Sequence, residues 1–296
     1  DLLRALQDFT VERFIYAGTM LVHRAGEPGL PVTEETELDP QWIYPQSKAD
    51  AEAVIREEHG SIPYLLFHLA GLYDDESAVP TLTEQIRRIY ERDPKSHAYA
   101  GATETGQSMI HKDDMAAAFA AAVKKRRSLP EDAVILAGEA EAVSYGELQD
   151  RLGELIHGDD EWATVSLPKP LAKAAAWLEA KAEPVIPDSF DHGEKPFIRP
   201  FMVDMADDHY ELDISRAKEL LGWEPKHALR DTLPDIVAAL KSDPLGWYEK
   251  NGLTPPYWVT AAAERSKNPE NLRVKAERER RARRRVVTSP GADHEQ

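Results

Sequence analysis

The stretch Tyr44-Pro45-Gln46-Ser47-Lys48 begins a strongly helical segment and sets a Tyr and a Lys four residues apart. Residues at that spacing lie on one face of a helix, so the ammonium group can approach the phenol and favour its ionised form. Such a phenol can exchange protons near neutral pH. The same spacing also arises by chance on helices that expose a Tyr and a Lys beside a core-facing stripe. The neighbouring sequence therefore has to decide between the two interpretations.

An apolar run upstream of the helix predicts a buried parallel strand. The run covers residues 13–23 and breaks at Gly18 and Thr19, where a hydroxyl side chain would stand at the strand's functional end. Thr19 precedes Tyr44 by 44 − 19 = 25 residues. A loop rich in Pro, Gly and acidic residues joins strand and helix, and Asp39-Pro40 is the predicted cap and first-turn proline.

This strand and helix resemble the extended short-chain dehydrogenase/reductase family, also called the NAD-dependent epimerase/dehydratase family. In that family a Ser or Thr at the strand end, a Tyr and a Lys form the catalytic triad. The resemblance therefore implies that Thr19, Tyr44 and Lys48 are catalytic, with NAD or NADP as the cofactor. The implied cofactor-binding residues are Tyr44, Lys48, Ala17, Gly18, His68 and Leu69.

Three later segments extend the resemblance to about residue 240. Residues 63–73 are similar to the family's next strand and the loop under the nicotinamide. Residues 108–116 are similar to a late strand followed by a helix that begins at Asp. Residues 212–226 are similar to the segment that closes the substrate domain. His68 stands where the family often has Arg. A histidine bonded to a backbone carbonyl is the alternative, so His68 is not placed among the catalytic residues.

The implied fold class is α/β: a Rossmann-like doubly wound parallel sheet, incomplete at the N-terminus, with a small C-terminal substrate-binding subdomain. The chain of 296 residues, 42% of them hydrophobic, is long enough for one sizeable core with such a subdomain. We predict a C-terminal portion of an NAD(P)-binding domain at 1–160, substrate-binding elements at 161–243, and a poorly ordered aromatic arm and basic tail at 244–296.

A glycine-rich turn of the type Gly-x-x-Gly-x-x-Gly is absent between a strand and a helix. In the family that turn lets the cofactor pyrophosphate approach a helix N-terminus. The chain also begins with Asp rather than Met. We therefore expect either the C-terminal part of a longer enzyme or a degenerate relative, and the chain alone is expected to be inactive and not to bind NAD(H) or NADP(H).

Two departures from the family narrow the predicted chemistry. Met20 and Leu21 follow the hydroxyl residue where dehydratases have Asp-Glu, which disfavours loss of water. Gln107 stands where nucleotide-sugar enzymes carry an Arg that clamps a diphosphate, although Arg199 or Lys195 could replace it. The prediction is an NAD(P)-dependent oxidoreductase or epimerase that transfers a hydride at a secondary alcohol or ketone, with a sugar or nucleotide sugar as one option. The alternative is a non-catalytic binding or scaffold subunit.

The paired carboxylates Asp113 and Asp114 suggest either metal binding or acid–base work. They have no companion His or Asp at a ligand spacing, and a helix starts directly after them, so capping is predicted and no metal site.

The net charge of −17 conceals a basic C-terminus. Residues 264–296 carry ten Lys/Arg against six Asp/Glu, which leaves 26 − 47 = −21 for residues 1–263. An acidic body argues against nucleic acid as a partner, whereas the tail could contact anionic membranes weakly. The absence of Cys favours a cytoplasmic setting. In the family the Tyr-bearing helix packs in a dimer, so a homodimer is expected for the full-length protein.

Overall fold

The computed structural model describes residues 2–159, 161–182 and 203–267, and the chain divides into two compact units, residues 1–239 and 240–296. The strands are β1 (Phe14–Thr19), β2 (Tyr64–Leu69), β3 (Gly71–Tyr73), β4 (Ala98–Tyr99), β5 (Gly106–Gln107), β6 (Met109–His111), β7 (Asp132–Ala137), β8 (Val143–Ser144) and β9 (Val165–Ser166). The helices are α1 (Leu2–Leu6), α2 (Ile43–Glu58), α3 (Pro80–Tyr90), α4 (Lys112–Lys124), α5 (Tyr145–His157), α6 (Lys169–Ala182), α7 (Ser215–Leu221), α8 (Leu229–Ser242), α9 (Pro244–Lys250) and α10 (Tyr257–Lys267).

The central sheet of the first unit has the parallel strand order β1-β2-β7. Gly18 is in register with His68, and Thr19 with Leu69, so the carboxyl ends of β1 and β2 stand side by side. Ligands of open α/β sheets bind outside these ends. Within the described residues β1 pairs with β2 alone, which leaves its other edge open.

Helices cover both faces of this sheet because alternate strand residues point to opposite sides. On one face the core includes Leu65, Phe67, Ile135, Ala118, Leu221 and Trp223, contributed by the strands, α4, α7 and the residue after Gly222. On the other face it includes Leu3, Ile55, Tyr64 and Leu66, contributed by α1, α2 and β2. This is the doubly wound, Rossmann-like α/β arrangement that the sequence predicts.

Two helix boundaries confirm local signals in the sequence. Ser144 caps α5 by accepting a hydrogen bond from Glu147 N at 3.2 Å. Gly222 ends α7 with φ +60°, the left-handed conformation that favours glycine.

The two predicted aspartate caps are wrong. α2 begins at Ile43, four residues beyond Asp39, because the backbone N–H of Asp39 donates to Val22 O at 2.9 Å and its carboxylate faces Arg24. Tertiary bonding thus holds Asp39 away from the helix. At α4 the cap is His111, whose Nδ1 accepts from Asp113 N at 3.2 Å.

The second unit contains α9 and α10. Where the sequence predicts a poorly ordered arm, Trp247 and Tyr248 of α9 are buried and their rings meet edge to face at 5.7 Å. Burial of two large aromatic side chains offsets the entropy cost of ordering this segment. The basic run 277–285 lies outside the described residues. No helix in the described part of the chain is both long enough and apolar enough to cross a membrane. The predicted boundaries at residues 160 and 243 stay predictions.

Candidate active site

Tyr44 and Lys48 face the carboxyl end of β1 from the first turns of α2. Lys48 Nζ donates a hydrogen bond to Ala17 O at 3.0 Å and lies 5.8 Å from the centre of the Tyr44 ring. An ammonium group has three donors, so two remain available after the bond to Ala17. The spacing of four residues has therefore brought the two side chains together, and the strand fixes the position of the lysine.

Thr19 stands at the end of β1, two residues beyond the carbonyl that Lys48 binds. Its Oγ1 accepts a bond from Leu21 N at 3.3 Å, which leaves the hydroxyl proton free to be donated elsewhere. Thr19 is 5% exposed, whereas Tyr44 is 41% exposed. The phenol is thus the open part of the site, and the threonine is almost covered.

A second phenol shares the same cation. Lys48 Nζ lies 5.3 Å from the centre of the Tyr16 ring. Burial raises the pKa of Tyr16, and the nearby Glu52 and Tyr44 raise it further. Tyr16 is therefore a poor proton acceptor near neutral pH, and it offers a matched control for Tyr44.

A buried chain of hydrogen bonds lies directly behind these residues. His23 Nδ1 faces Thr36 O at 2.8 Å, and its Nε2 faces His68 Nδ1 at 2.7 Å. His68 Nε2 lies 3.1 Å from Glu52 Oε2. Each of these three side chains is at most 1% exposed. Burial lowers the pKa of His23 to about 4, and the nearby His68 adds to this effect. His23 is therefore neutral at physiological pH.

The chain of bonds fixes which nitrogens carry protons. A carbonyl only accepts, so His23 Nδ1 carries a proton and its neutral Nε2 accepts from His68 Nδ1. One further proton is then held between His68 Nε2 and Glu52. Glu52 follows Lys48 by four residues and lies on the same face of α2. Its contact with His68 therefore joins α2 to β2.

Gly18 permits this arrangement. A Cβ at residue 18 would lie 2.8 Å from Glu52 Oε1 and 2.9 Å from the carbonyl oxygen of Phe67. Any larger residue would displace either the carboxylate or a neighbouring strand.

The residues predicted to bind the cofactor divide into two groups. Lys48 has two free donors suited to ribose hydroxyls, Tyr44 is open, and Ala17 is exposed at the strand edge. This donor set fits the ribose of a nicotinamide nucleotide. Both ring nitrogens of His68, however, are bonded to His23 and Glu52. Its cofactor contact stays a prediction, as do those of Gly18 and Leu69.

A cavity of about 250 Å³ lies in the same unit. Its lining includes the rings of Tyr99 and Tyr145, stacked at 3.6 Å between centroids, and Arg88, Gln107 and Asp208. Arg88 is the lining's basic side chain among the described residues. Its buried Nε makes no hydrogen bond there, although the carboxylate of Glu84, another lining residue, lies 3.8 Å away. Burial raises the pKa of Asp208 to about 6. Arg199 and Lys195, the predicted replacements for a family arginine, lie outside the described residues.

Sequence reasoning missed Glu52, Arg88 and the tyrosine pair. A local signal existed for Glu52, because an acid four residues after Lys48 extends the face that carries Tyr44 and Lys48. No local signal marks Arg88 or the stacking of Tyr99 on Tyr145, residues far apart along the chain.

Parallel strands covered on both faces by helices, with a Tyr and a Lys beside a strand end, define a Rossmann-like α/β protein. Residues 1–138 match the NAD dependent epimerase/dehydratase family, which confirms the resemblance expected from the sequence for that part of the chain. No curated protein matches the chain.

Solved structures of low identity share the fold. UDP-glucuronic acid 4-epimerase from Bacillus cereus, solved with UDP-glucuronic acid and NAD, is 20% identical with a TM-score of 0.57, and the match covers 81% of this chain and 65% of that one. UDP-glucose 4-epimerase from Thermotoga maritima, solved with UDP-glucose, is 20% identical with a TM-score of 0.56, covering 81% and 67%. An epimerase from Methanothermobacter thermautotrophicus is 14% identical with a TM-score of 0.61, covering 84% and 65%. The chain thus spans about two thirds of the length of these enzymes.

Proposed function

We propose that the chain carries the catalytic residues of an NAD-dependent epimerase or oxidoreductase that acts on a secondary alcohol or ketone of a nucleotide sugar. The observation that carries this proposal is the position of Lys48 Nζ, which donates a hydrogen bond to Ala17 O and lies beside the ring of Tyr44. The match of residues 1–138 to the NAD dependent epimerase/dehydratase family supports the choice of NAD, and it does not distinguish NAD from NADP.

Each side chain has one task in this proposal. Tyr44 takes the proton from the substrate hydroxyl and returns it, as a positioned general base and acid. Lys48 holds the phenol and offers its free donors to the cofactor ribose, and Thr19 donates its hydroxyl proton to the reacting oxygen. The bound nicotinamide would supply the hydride acceptor.

The cavity near Tyr99 is the proposed binding site for one part of the substrate. Its volume is slightly below the usual range of about 300–1,000 Å³ for ligand pockets, so it would take one part of a nucleotide sugar rather than the whole. The stacked rings of Tyr99 and Tyr145 offer a flat apolar wall, and Arg88 offers a cation whose Nε makes no hydrogen bond and stands 3.8 Å from Glu84 Oε2. Arg88 would then take the anion-binding role for which Gln107 lacks the charge.

The test is turnover of UDP-glucuronic acid or UDP-glucose with NAD⁺ or NADP⁺, followed by chromatographic separation of the 4-epimers. Tyr44→Phe is expected to lose at least about 10²-fold in rate, because it removes the proton-transfer group and keeps the ring. Tyr16→Phe, next to the same lysine, is expected to retain turnover. Arg88→Gln is expected to raise KM about 10- to 100-fold with a smaller effect on kcat, as loss of a charged hydrogen bond does.

The outcomes separate the parts of the proposal. Wild-type rates from Tyr44→Phe would exclude Tyr44 as the proton donor, and an unchanged KM for Arg88→Gln would exclude the cavity as the anion site. Calorimetric titration with NAD(H) and NADP(H) accompanies the assay, since we expect the chain alone to be inactive and to bind neither cofactor. Cofactor binding without turnover of either sugar would favour the non-catalytic binding subunit.

A further inference from the structure

Three side chains that can bind metals meet at the end of β6. His111 ends β6, Asp113 lies in the first turn of α4, and His227 lies just before α8. One ligand atom from each lies within 4.8 Å of the other two. The two imidazole rings stack with their centroids 4.0 Å apart. The fold has thus brought the distant His227 to His111 and Asp113, which are two residues apart in the sequence.

The contacts of His227 leave one of its nitrogens free to bind. Its Nδ1 lies 3.0 Å from Asp114 Oδ2, and the same carboxylate oxygen accepts the backbone N–H groups of Lys226 and His227. A carboxylate oxygen already engaged in this way accepts rather than donates, so Nδ1 carries the proton. The lone pair of a neutral His227 is then on Nε2.

His111 is buried, and its neutral ring carries the proton on the opposite nitrogen from that of His227. Its Nδ1 accepts from Asp113 N, so in the neutral ring the proton is on Nε2. This Nε2 is buried without a hydrogen-bond partner and stands 3.5 Å from Asp75 Oδ1. His111 is 3% exposed, and a buried N–H with no partner is costly unless something else compensates.

We propose that His111, Asp113 and His227 bind one divalent transition-metal ion, with Zn²⁺ as the best fit. His111 would bind through Nδ1, exchanging one hydrogen bond from Asp113 N for the metal, and its Nε2–H would then draw in the Asp75 carboxylate. Each imidazole would then donate its second N–H to a carboxylate, His111 to Asp75 and His227 to Asp114. Metal-bound histidines are usually supported in this way.

The ligand types select the metal. Two imidazoles and one carboxylate suit Zn²⁺, whereas Ca²⁺ and Mg²⁺ prefer oxygen ligands alone. The ion would link the start of α4 to the segment before α8, and three protein ligands leave a fourth position open. Asp113 and the side chain of His227 are exposed, so both can adjust to the ion.

The test is titration of the metal-free chain, prepared without a histidine tag, with ZnCl₂ in a calorimeter and with Co²⁺ in a spectrophotometer. Wild type is expected to bind one Zn²⁺ per chain and to give the visible absorption of Co²⁺ in a low-symmetry site. His227→Gln and Asp113→Asn are each expected to weaken binding at least about tenfold and to remove that absorption. Both residues are exposed at the surface, and matching thermal melts of the metal-free variants will show that the fold is intact.

Matched controls distinguish this site from general attraction to an acidic protein. Glu76→Gln removes the same charge as Asp75→Asn one residue away, and His97→Gln removes a histidine outside the cluster. Asp75→Asn is expected to weaken Zn²⁺ binding by up to about tenfold, whereas the two controls leave it unchanged. Absence of saturable Zn²⁺ binding, or equal affinity in wild type and His227→Gln, would overturn the proposal.

Discussion

Replacing Glu139 by Gln should remove a pH dependence of folding stability that a single buried carboxyl creates. Glu139 follows β7 and is 8% exposed. The Tyr73 hydroxyl donates to its Oε1 at 2.9 Å, and the backbone N–H of Leu229, at the start of α8, donates to its Oε2 at 3.0 Å. Burial outweighs these bonds and raises the pKa of Glu139 from 4.5 to about 7. The folded protein therefore holds a proton that the unfolded chain releases at lower pH.

The magnitude follows from the size of the pKa shift. A raised pKa in the folded state means that the stabilising contribution is complete below pH 4.5 and is lost as the pH rises to about 7. At 1.36 kcal/mol per pKa unit, the shift corresponds to a loss of about 3 kcal/mol across that window. A Gln can replace both bonds, since its amide oxygen can accept from Leu229 and its amide nitrogen can donate to the Tyr73 oxygen.

Urea denaturation at a series of pH values from 4.5 to 8 measures this effect. The free energy of unfolding of wild type, minus that of Glu139→Gln, should fall by about 3 kcal/mol between pH 4.5 and 7.5 and then level off. Glu141→Gln, which removes an exposed carboxylate paired with Arg230, should not change the pH dependence. If the difference in unfolding free energy between wild type and Glu139→Gln stays constant over the whole pH range, this reasoning is refuted.

Two further predictions concern the buried chain of hydrogen bonds behind the candidate active site. Gly18→Ala should destabilise the fold by about 1–3 kcal/mol, because the new Cβ would overlap Glu52 Oε1 and the Phe67 carbonyl. Gly146→Ala is the control, because the atom nearest to its new Cβ is 3.3 Å away, and equal urea midpoints for wild type and Gly18→Ala would contradict the prediction. Glu52→Gln should unfold at a higher urea concentration than Glu52→Leu, by about 1–3 kcal/mol in stability, because an amide can still donate to His68 Nε2 and a leucine leaves that nitrogen buried without a partner. Equal stabilities of the two Glu52 variants would show that the contact between His68 and residue 52 does not contribute to stability.

Local signals predicted most of the secondary structure. The apolar run that ends at Thr19 is β1, Ser144 with Glu147 caps α5, and Gly222 ends α7. These signals depend on residues at most a few positions apart, where backbone geometry alone sets the contacts. The predicted aspartate caps are wrong because Asp39 and Asp114 bind partners that lie far away in the sequence.

The sequence by itself determined the α/β class, the family resemblance and the pairing of Tyr44 with Lys48, because helix and strand periodicity are properties of neighbouring residues. Only the tertiary structure decided which distant side chains meet. His23 reaches His68 across 45 positions, and His227 reaches Asp114 across 113. Such contacts depend on the parallel register of β1 and β2 and on how the chain crosses between layers, and packing of the whole core selects both.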